Sequence, residues 1–196
     1  MHPSQPNPLI DATRRLEEAS VLDSVIGPLA PTIRSTFGTG FRGELLRGEW
    51  LGHALHPLLT DMVIGPWVSA SVLDVVGGRG SRKAAQRLVG VGLLVAGPTA
   101  WTGWAEWSEA GTREQRVGLV HAVSNAAAIG AYAASWNARR KGRHLKGAGL
   151  AMLGAGVSGV GAYLGGHLAI ARKVGSHHPA FGKSTSVDMA GVAPSA

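Results

Sequence analysis

The sequence predicts an all-α membrane protein: an antiparallel four-helix transmembrane bundle preceded by one or two short amphipathic N-terminal helices. Apolar residues make up 45% of the 196 residues and concentrate between two polar ends. The central region divides into four apolar segments, each near the length of about 20 residues that a helix needs to cross a bilayer. Short loops join the segments, so successive helices run in opposite directions. We therefore expect a polar N-terminal region over 1–50, a transmembrane domain over 51–171 and a flexible polar tail over 172–196.

The N-terminal region is expected to form short amphipathic helices. From Asp11 onward apolar residues recur on one helical face, a pattern typical of such a helix. We expect Pro28 and Pro31 to end it, since proline disrupts a helix interior. A second short helix, over about 43–51, carries charged residues beside leucines and a tryptophan and would lie at a membrane interface.

Four segments are predicted to span the membrane. They cover about 57–76, 84–105, 117–136 and 147–171. The second ends in tryptophans spaced three residues apart, which share one helical face as in an interfacial aromatic belt; these are Trp101, Trp104 and Trp107. The fourth is rich in glycine, and the spacing of Gly161 and Gly165 predicts close packing against a neighbouring helix or a flat ligand.

The composition excludes several classes of site. The chain has no cysteine, which removes disulfides, thiolate metal sites and cysteine-ligated iron–sulfur clusters. Its net charge of +7 does not indicate nucleic acid, because the basic residues lie just outside apolar segments, as in membrane anchoring. The sequence contains no nucleophile elbow, P-loop or His-Glu-x-x-His motif, so no catalytic residue is assigned and an enzymatic activity stays open.

The charged loops predict an orientation. Residues 79–87 and 139–146 hold nine Lys or Arg and no acid, whereas the 106–116 loop mixes both signs. By the positive-inside rule the two basic loops are cytoplasmic in a multi-pass protein of the bacterial cytoplasmic membrane. We expect Asp74, near the end of the first span, to pair with Arg79 or Arg82.

The alternating helix directions bring most of the remaining polar residues to the opposite membrane face. This set comprises His53, His56, Asp61, Trp101, Trp104, Glu106, Trp107, His121, Asn125 and His167. His121 lies five residues after Arg116 and His167 five before Arg172. At about 1.5 Å per residue both histidines lie roughly 7 to 8 Å inside a polar anchor. They are therefore level, and we expect them to face each other across the bundle.

Three kinds of chemistry suit this cluster. His121 and His167, with His56, supply the paired imidazoles that haem b requires. Alternatively, His56, Asp61, His121 and His167 offer nitrogen and oxygen ligands for a transition-metal ion. Third, the same groups form a protonatable pocket for a quinone or a proton path. Further pocket members are expected to be Asn125, Trp101, Trp104 and Glu106. A cofactor-free bundle, with each histidine bonded to a neighbouring carbonyl, remains the alternative.

Three stretches of the chain resemble a bacterial membrane family called domain of unknown function 2231. They are WLGHALHPLLTDMVIGPW over 50–67, GLVHAVSNAAA around His121 and YLGGHLAIARKVG around His167. The resemblance covers about 35–176 and implies that these histidines, His56 and Asp61 are recurring polar positions. Members occur alone or ahead of a Rieske iron–sulfur domain, which implies a place in electron transfer. Because the last twenty or so residues hold no cysteine, the iron–sulfur or respiratory partner would be a separate protein.

The functional hypotheses follow in order. The first is a small membrane electron-transfer protein that binds haem b or a metal through its histidines. The second is a cofactor-free anchor or assembly subunit of a redox or transport complex, and the third is a quinone or proton site. The lipid bilayer is the expected partner of all three.

Overall fold

The computed structural model describes residues 7–175. Residues 1–6 and 176–196, and with them most of the predicted polar tail, lie outside the described part of the chain. All regular secondary structure within 7–175 is helical. The predicted all-α class is confirmed.

Four long helices form the body of the protein. They are α4 (Leu55–Val76), α5 (Arg82–Trp107), α6 (Thr112–Arg140) and α7 (His144–Gly166). Helix α7 continues as a π-helical turn over His167–Ala171. All four are long and apolar enough to cross a membrane. They start earlier or end later than predicted because the helical backbone continues through the charged residues at the membrane interfaces. The predicted four-helix transmembrane bundle is confirmed.

The bundle consists of two helical hairpins. Helices α4 and α5 form one and α6 and α7 the other, and α4 and α7 contact each other least among the neighbouring spans. The hairpins are joined by Trp67, whose ring stacks on Tyr132 with centroids 3.8 Å apart. Glycines admit these rings, since Gly92 lies against Trp67 and Gly154 against Tyr132. Small residues thus allow close helix approach, as the glycine content predicts.

Three short helices precede the spans. They are α1 (Pro8–Glu17), α2 (Asp23–Ile33) and α3 (Gly40–Arg47). The expectation that Pro28 and Pro31 end a helix is wrong, because both lie inside α2. Ile26 and Ile33 of that helix pack against Trp107 in a buried cluster, and this burial offsets the hydrogen bonds that the prolines cannot make.

The opposite end of the bundle carries a buried ion pair. Asp74, at the end of α4, pairs with Arg139 at the end of α6, and their side chains are only 9% and 1% exposed. The predicted partners Arg79 and Arg82 are wrong. Arg79 lies in the connection after α4 and Arg82 is the first residue of α5, whereas Asp74 is turned into the bundle toward Arg139. Arg139 also donates to the Ser135 hydroxyl at 3.1 Å.

Candidate functional site

A cavity of about 380 Å³ lies between the two hairpins at the histidine end of the bundle. Most of its wall is apolar and built from small residues, because alanines and glycines of α5, α6 and α7 face it. The polar members of the wall are His56, Thr60, Asp61, Glu106, Glu114, His121 and Asn125. An apolar cavity of a few hundred Å³ with a few convergent polar groups is the usual form of a small-molecule site.

His56 lies in the first turn of α4 and contacts α5. Its Nδ1 is 2.9 Å from the Thr99 carbonyl oxygen and 3.2 Å from the Thr102 hydroxyl. Since a carbonyl only accepts, Nδ1 carries the proton and donates it, which leaves a lone pair on Nε2. Within residues 7–175 no protein group bonds this Nε2. A Cβ at Gly103 would come within 2.8 Å of the imidazole, so that glycine makes room for His56.

His121 is held in a similar way between α6 and α7. Its Nδ1 donates to the Gly161 carbonyl oxygen at 2.8 Å. Asn125, one turn later, donates its Nδ2 hydrogen to His121 Nε2 at 3.0 Å. Gly165 lies against the ring, where a Cβ would approach within 2.9 Å. The Gly161 and Gly165 spacing thus packs α7 against the polar side chains of α6.

The structure brings His56 and His121 together. Their ring centroids are 6.3 Å apart and the rings are nearly perpendicular, at 78°. Each ring donates through Nδ1 to a backbone carbonyl of another helix. In the neutral tautomer each imidazole therefore presents Nε2 as an acceptor.

His167 is not the partner of His121. Its Nε2 is 2.8 Å from Glu17 Oε1 in α1, and its side chain is absent from the cavity wall. The expected pairing of His121 with His167 fails because the π-helical turn that begins at His167 directs this residue toward the N-terminal helices. The nearest equivalent of the expected pair is His56 with His121.

Glu106 is the second titratable group of the cavity. It lies near the end of α5 and belongs to the same cavity wall as His56. Its Oε1 is buried and has no hydrogen-bond partner in the described residues. A buried acceptor without a partner costs roughly 1–3 kcal/mol, so this oxygen is suited to a hydrogen bond from a bound molecule.

The remaining predicted residues occupy different places. Asp61 is an exposed residue at the cavity wall, and Asn125 lines it beside His121. Trp104 lines the wall and meets Trp107 edge to face, with centroids 5.4 Å apart. Trp101 is 52% exposed and lies outside the wall.

A larger outer cavity leads to the inner one. It has a volume of about 720 Å³, and Glu106, Ala110, Glu114 and Val174 belong to the walls of both cavities. His53 lies in the outer wall. Glu106 therefore stands at the junction between the inner cavity and the outer, charged one.

Ion pairs fasten the N-terminal helices over this end of the bundle. Arg116 donates to both carboxylate oxygens of Asp23, at 2.8 and 2.6 Å. Its guanidinium holds the pKa of Asp23 below the usual value. Arg172 bonds Glu114 and lies 3.6 Å from Glu17, and hydrogen bonding to Glu114 raises the pKa of Arg172. No local pattern indicates these partners, because they lie 58 to 155 positions apart.

The cavity does not fit haem b or a metal ion as it is folded. Two imidazoles that share an ion at about 2.0–2.1 Å have ring centres roughly 5 to 6.5 Å apart, and the 6.3 Å separation of His56 and His121 falls in that range. However, Asn125 engages the ligating nitrogen of His121, and Glu17 engages His167. No group of three or more His, Asp or Glu among residues 7–175 is arranged to hold a metal.

The glycines beside the histidines also count against a porphyrin. Gly103 and Gly165 hold the imidazole rings themselves, so the space they create is already filled. Sequence reasoning missed this role of Gly103, although its position between two tryptophans of a transmembrane helix indicated a close approach.

Comparison with known proteins identifies the family and nothing narrower. A family model described as a predicted membrane protein, DUF2231, matches residues 52–178, which include all four spans and every histidine of the cavity. Neither the curated proteins nor the solved structures gave a match. The chain therefore belongs to the DUF2231 family of predicted membrane proteins.

Proposed function

We propose that the protein binds the ring of a lipid-soluble quinone or quinol in the cavity between its hairpins and exchanges protons with it. One observation carries the proposal. His56, with a lone pair on Nε2, and Glu106, with a partnerless buried oxygen, face the same apolar cavity. A quinone-class ring places oxygen atoms on an apolar body, which matches this division of the wall.

The two groups suit both redox forms of such a ligand. A protonated Glu106 donates a hydrogen bond to a quinone oxygen, and His56 Nε2 accepts one from a quinol hydroxyl. When a quinol is oxidised it loses two protons and two electrons. His56 and the Glu106 carboxylate accept one proton each, and a separate iron–sulfur or respiratory protein takes the electrons. Histidine and carboxylate side chains are the commonest groups that take up and release protons in protein sites.

The cavity wall also supports a flat ring with an apolar tail. Trp104 and Trp107 offer aromatic faces, and small residues of α6 and α7 leave a smooth opposite wall. Thr60 and Asp61 of α4 lie in the wall together with Ala162 and Ala169 of α7. Since α4 and α7 contact each other least, the tail leaves between these helices toward the lipid.

Titration of the purified full chain in detergent with a short-tailed quinone tests the proposal. Trp104 and Trp107 line the cavity, so a bound quinone quenches part of the tryptophan fluorescence in a saturable way. Glu106→Leu removes the hydrogen bond to the quinone, worth about 0.5–1.5 kcal/mol, and weakens quinone binding by about 2- to 12-fold. His56→Leu removes the acceptor for a quinol hydroxyl and weakens binding of the corresponding quinol by the same factor.

Matched controls lie outside the cavity. Glu109→Leu removes an exposed carboxylate of the outer cavity whose partner is Arg34, and His144→Leu removes a histidine at the opposite end of the bundle. Both keep the parent affinity. If quenching instead rises linearly with quinone concentration and is equal in every variant, the quinone only partitions into the micelle. That result contradicts the proposal.

The haem and metal hypotheses predict a different spectrum. A bound haem b gives a Soret band that His121→Ala removes, and a bound metal appears by elemental analysis of the same sample. The cofactor-free anchor predicts neither these signals nor saturable quenching. One preparation therefore separates the three hypotheses.

We also propose the orientation in which the basic loops are cytoplasmic. The chain has no cysteine, so single cysteines report the side of the membrane directly. With a membrane-impermeant maleimide, Glu109→Cys is labelled in intact cells, after permeabilisation of any outer membrane, and Arg143→Cys only after lysis. The reverse pattern contradicts the orientation.

A further inference from the structure

The two basic loops form one continuous surface. It consists of residues 79–87 and 140–146, which contribute four Lys or Arg each, and we call it the basic surface. Arg140 lies over the ring of Trp136 in α6, with its Cζ 4.7 Å from the ring centroid. A Cβ at Gly90 in α5 would come within 2.9 Å of Trp136 Nε1, and Gly90 lies one turn after Arg87. Trp136 therefore joins the two loops.

The positive charge of this surface is not neutralised within the described chain. The one acid nearby, Asp74, is buried and bonded to Arg139. None of the eight Lys and Arg of the basic surface has an ion pair in residues 7–175. Seven are exposed and Arg82 is half-buried. Eight unpaired cations in so small an area repel one another unless an anion lies among them.

Apolar side chains are exposed among these cations. Leu145 is 84% exposed, and Val75 and Val76 are 73% and 75% exposed. Trp136 lies at the same end, and tryptophan in a transmembrane helix favours the level of the lipid headgroups. Cations beside exposed leucine and valine at headgroup depth match a molecule with a phosphate and an acyl chain.

We propose that the basic surface binds the headgroups of anionic phospholipids. The exposed leucine and valine side chains and the adjoining transmembrane helices favour a lipid, because its acyl chain can pack on them. A nucleic acid has no apolar chain that would cover these side chains. Each Lys or Arg near an anionic membrane surface contributes about 1 kcal/mol. The exposed cations hold a ring of anionic lipid around this end of the bundle, independently of any ligand in the cavity.

Native mass spectrometry of the full chain in detergent tests the proposal with phosphatidylglycerol and, as the neutral lipid, phosphatidylcholine. We expect the parent protein to retain phosphatidylglycerol in preference to phosphatidylcholine. The double variant Lys141→Gln, Lys146→Gln removes two exposed cations and weakens phosphatidylglycerol binding by about 25-fold, the product of roughly fivefold per charge.

The matched control removes two exposed cations from α1, at the other end of the bundle, as Arg14→Gln, Arg15→Gln, and keeps the parent affinity. Equal retention of the two lipids overturns the proposal, and so does an equal loss in the two double variants. A duplex oligonucleotide that displaces phosphatidylglycerol from the parent protein assigns the surface to nucleic acid and also overturns it. Melting temperatures of both variants within a few degrees of the parent confirm that they are folded.

Discussion

Replacing Asp74 by Asn tests the buried ion pair that joins α4 to α6. The substitution keeps the size of the side chain but replaces one of the two oxygens that accept from Arg139 by an NH2 donor, and it leaves the guanidinium, 1% exposed, without an anion. Within residues 7–175, Ser135 remains as the single other side-chain partner of Arg139, at 3.1 Å from Nε. Breaking a buried pair by removing one partner costs about 3–5 kcal/mol.

The loss is measurable as a fall in melting temperature. For a chain of this size, 1 kcal/mol corresponds to about 2–4 °C, so Asp74→Asn lowers the melting temperature by about 6–20 °C in detergent. Circular dichroism at 222 nm follows the unfolding of the helices. Asp74→Leu combined with Arg139→Met replaces the pair by apolar groups and regains most of the loss, because the burial of both charges is then avoided.

A surface pair supplies the control. Arg34 and Glu109 are 3.6 Å apart with side chains 61% and 43% exposed, and such pairs contribute at most about 1 kcal/mol. Glu109→Gln therefore leaves the melting temperature nearly unchanged. Equal, small shifts for Asp74→Asn and Glu109→Gln would refute the reasoning from burial.

Two further predictions concern packing and pH. Gly92→Ala places a methyl group onto the Trp67 indole and lowers the free energy of unfolding by about 1–3 kcal/mol. In the control Gly130→Ala the new methyl group meets nothing within 4 Å, so stability is unchanged. Equal melting temperatures of the two variants contradict the packing argument. Arg116 depresses the pKa of Asp23, so this pair stabilises the docked N-terminal helices above the unfolded pKa of about 3.9 and the effect is lost as pH falls through the folded value. Asp23→Asn therefore speeds hydrogen exchange in α1 and α2 more at pH 7 than at pH 3, and an equal increase at both pH values rules out the carboxylate as its cause.

The spans and the histidine end follow from the sequence for simple reasons. A single apolar segment crosses a bilayer as a helix. Because short loops join the four segments, successive helices must run in alternate directions. That arrangement places His56, Glu106 and His121 at the same end. Their presence at one end of the bundle is therefore a consequence of chain direction.

The rotation of each helix does not follow from the sequence. Helix α7 is apolar or small on all sides, so no face is marked as inward and the positions of His121 and His167 relative to each other stay open. The structure turns His121 toward His56 and His167 toward Glu17. The Glu17 contact joins residues 150 positions apart, and nothing in the local pattern of either segment indicates it.

The buried ion pair shows the same limit. Asp74 and Arg139 are 65 positions apart, and Arg79 and Arg82 offer nearer cations along the chain. The pairing is decided by the arrangement of all four helices, which turns both side chains into the bundle and buries them. Local charge spacing predicts surface pairs well only where the helix itself brings residues together.

Photolabelling with an azido-quinone locates a bound quinone ring. If the ring binds in the cavity, crosslinks mapped by mass spectrometry fall in the wall segments 56–61 and 100–107 and are suppressed by excess unlabelled quinone. Crosslinks that are not suppressed and lie on lipid-facing positions such as Leu94 and Val160, 79% and 53% exposed, would contradict it.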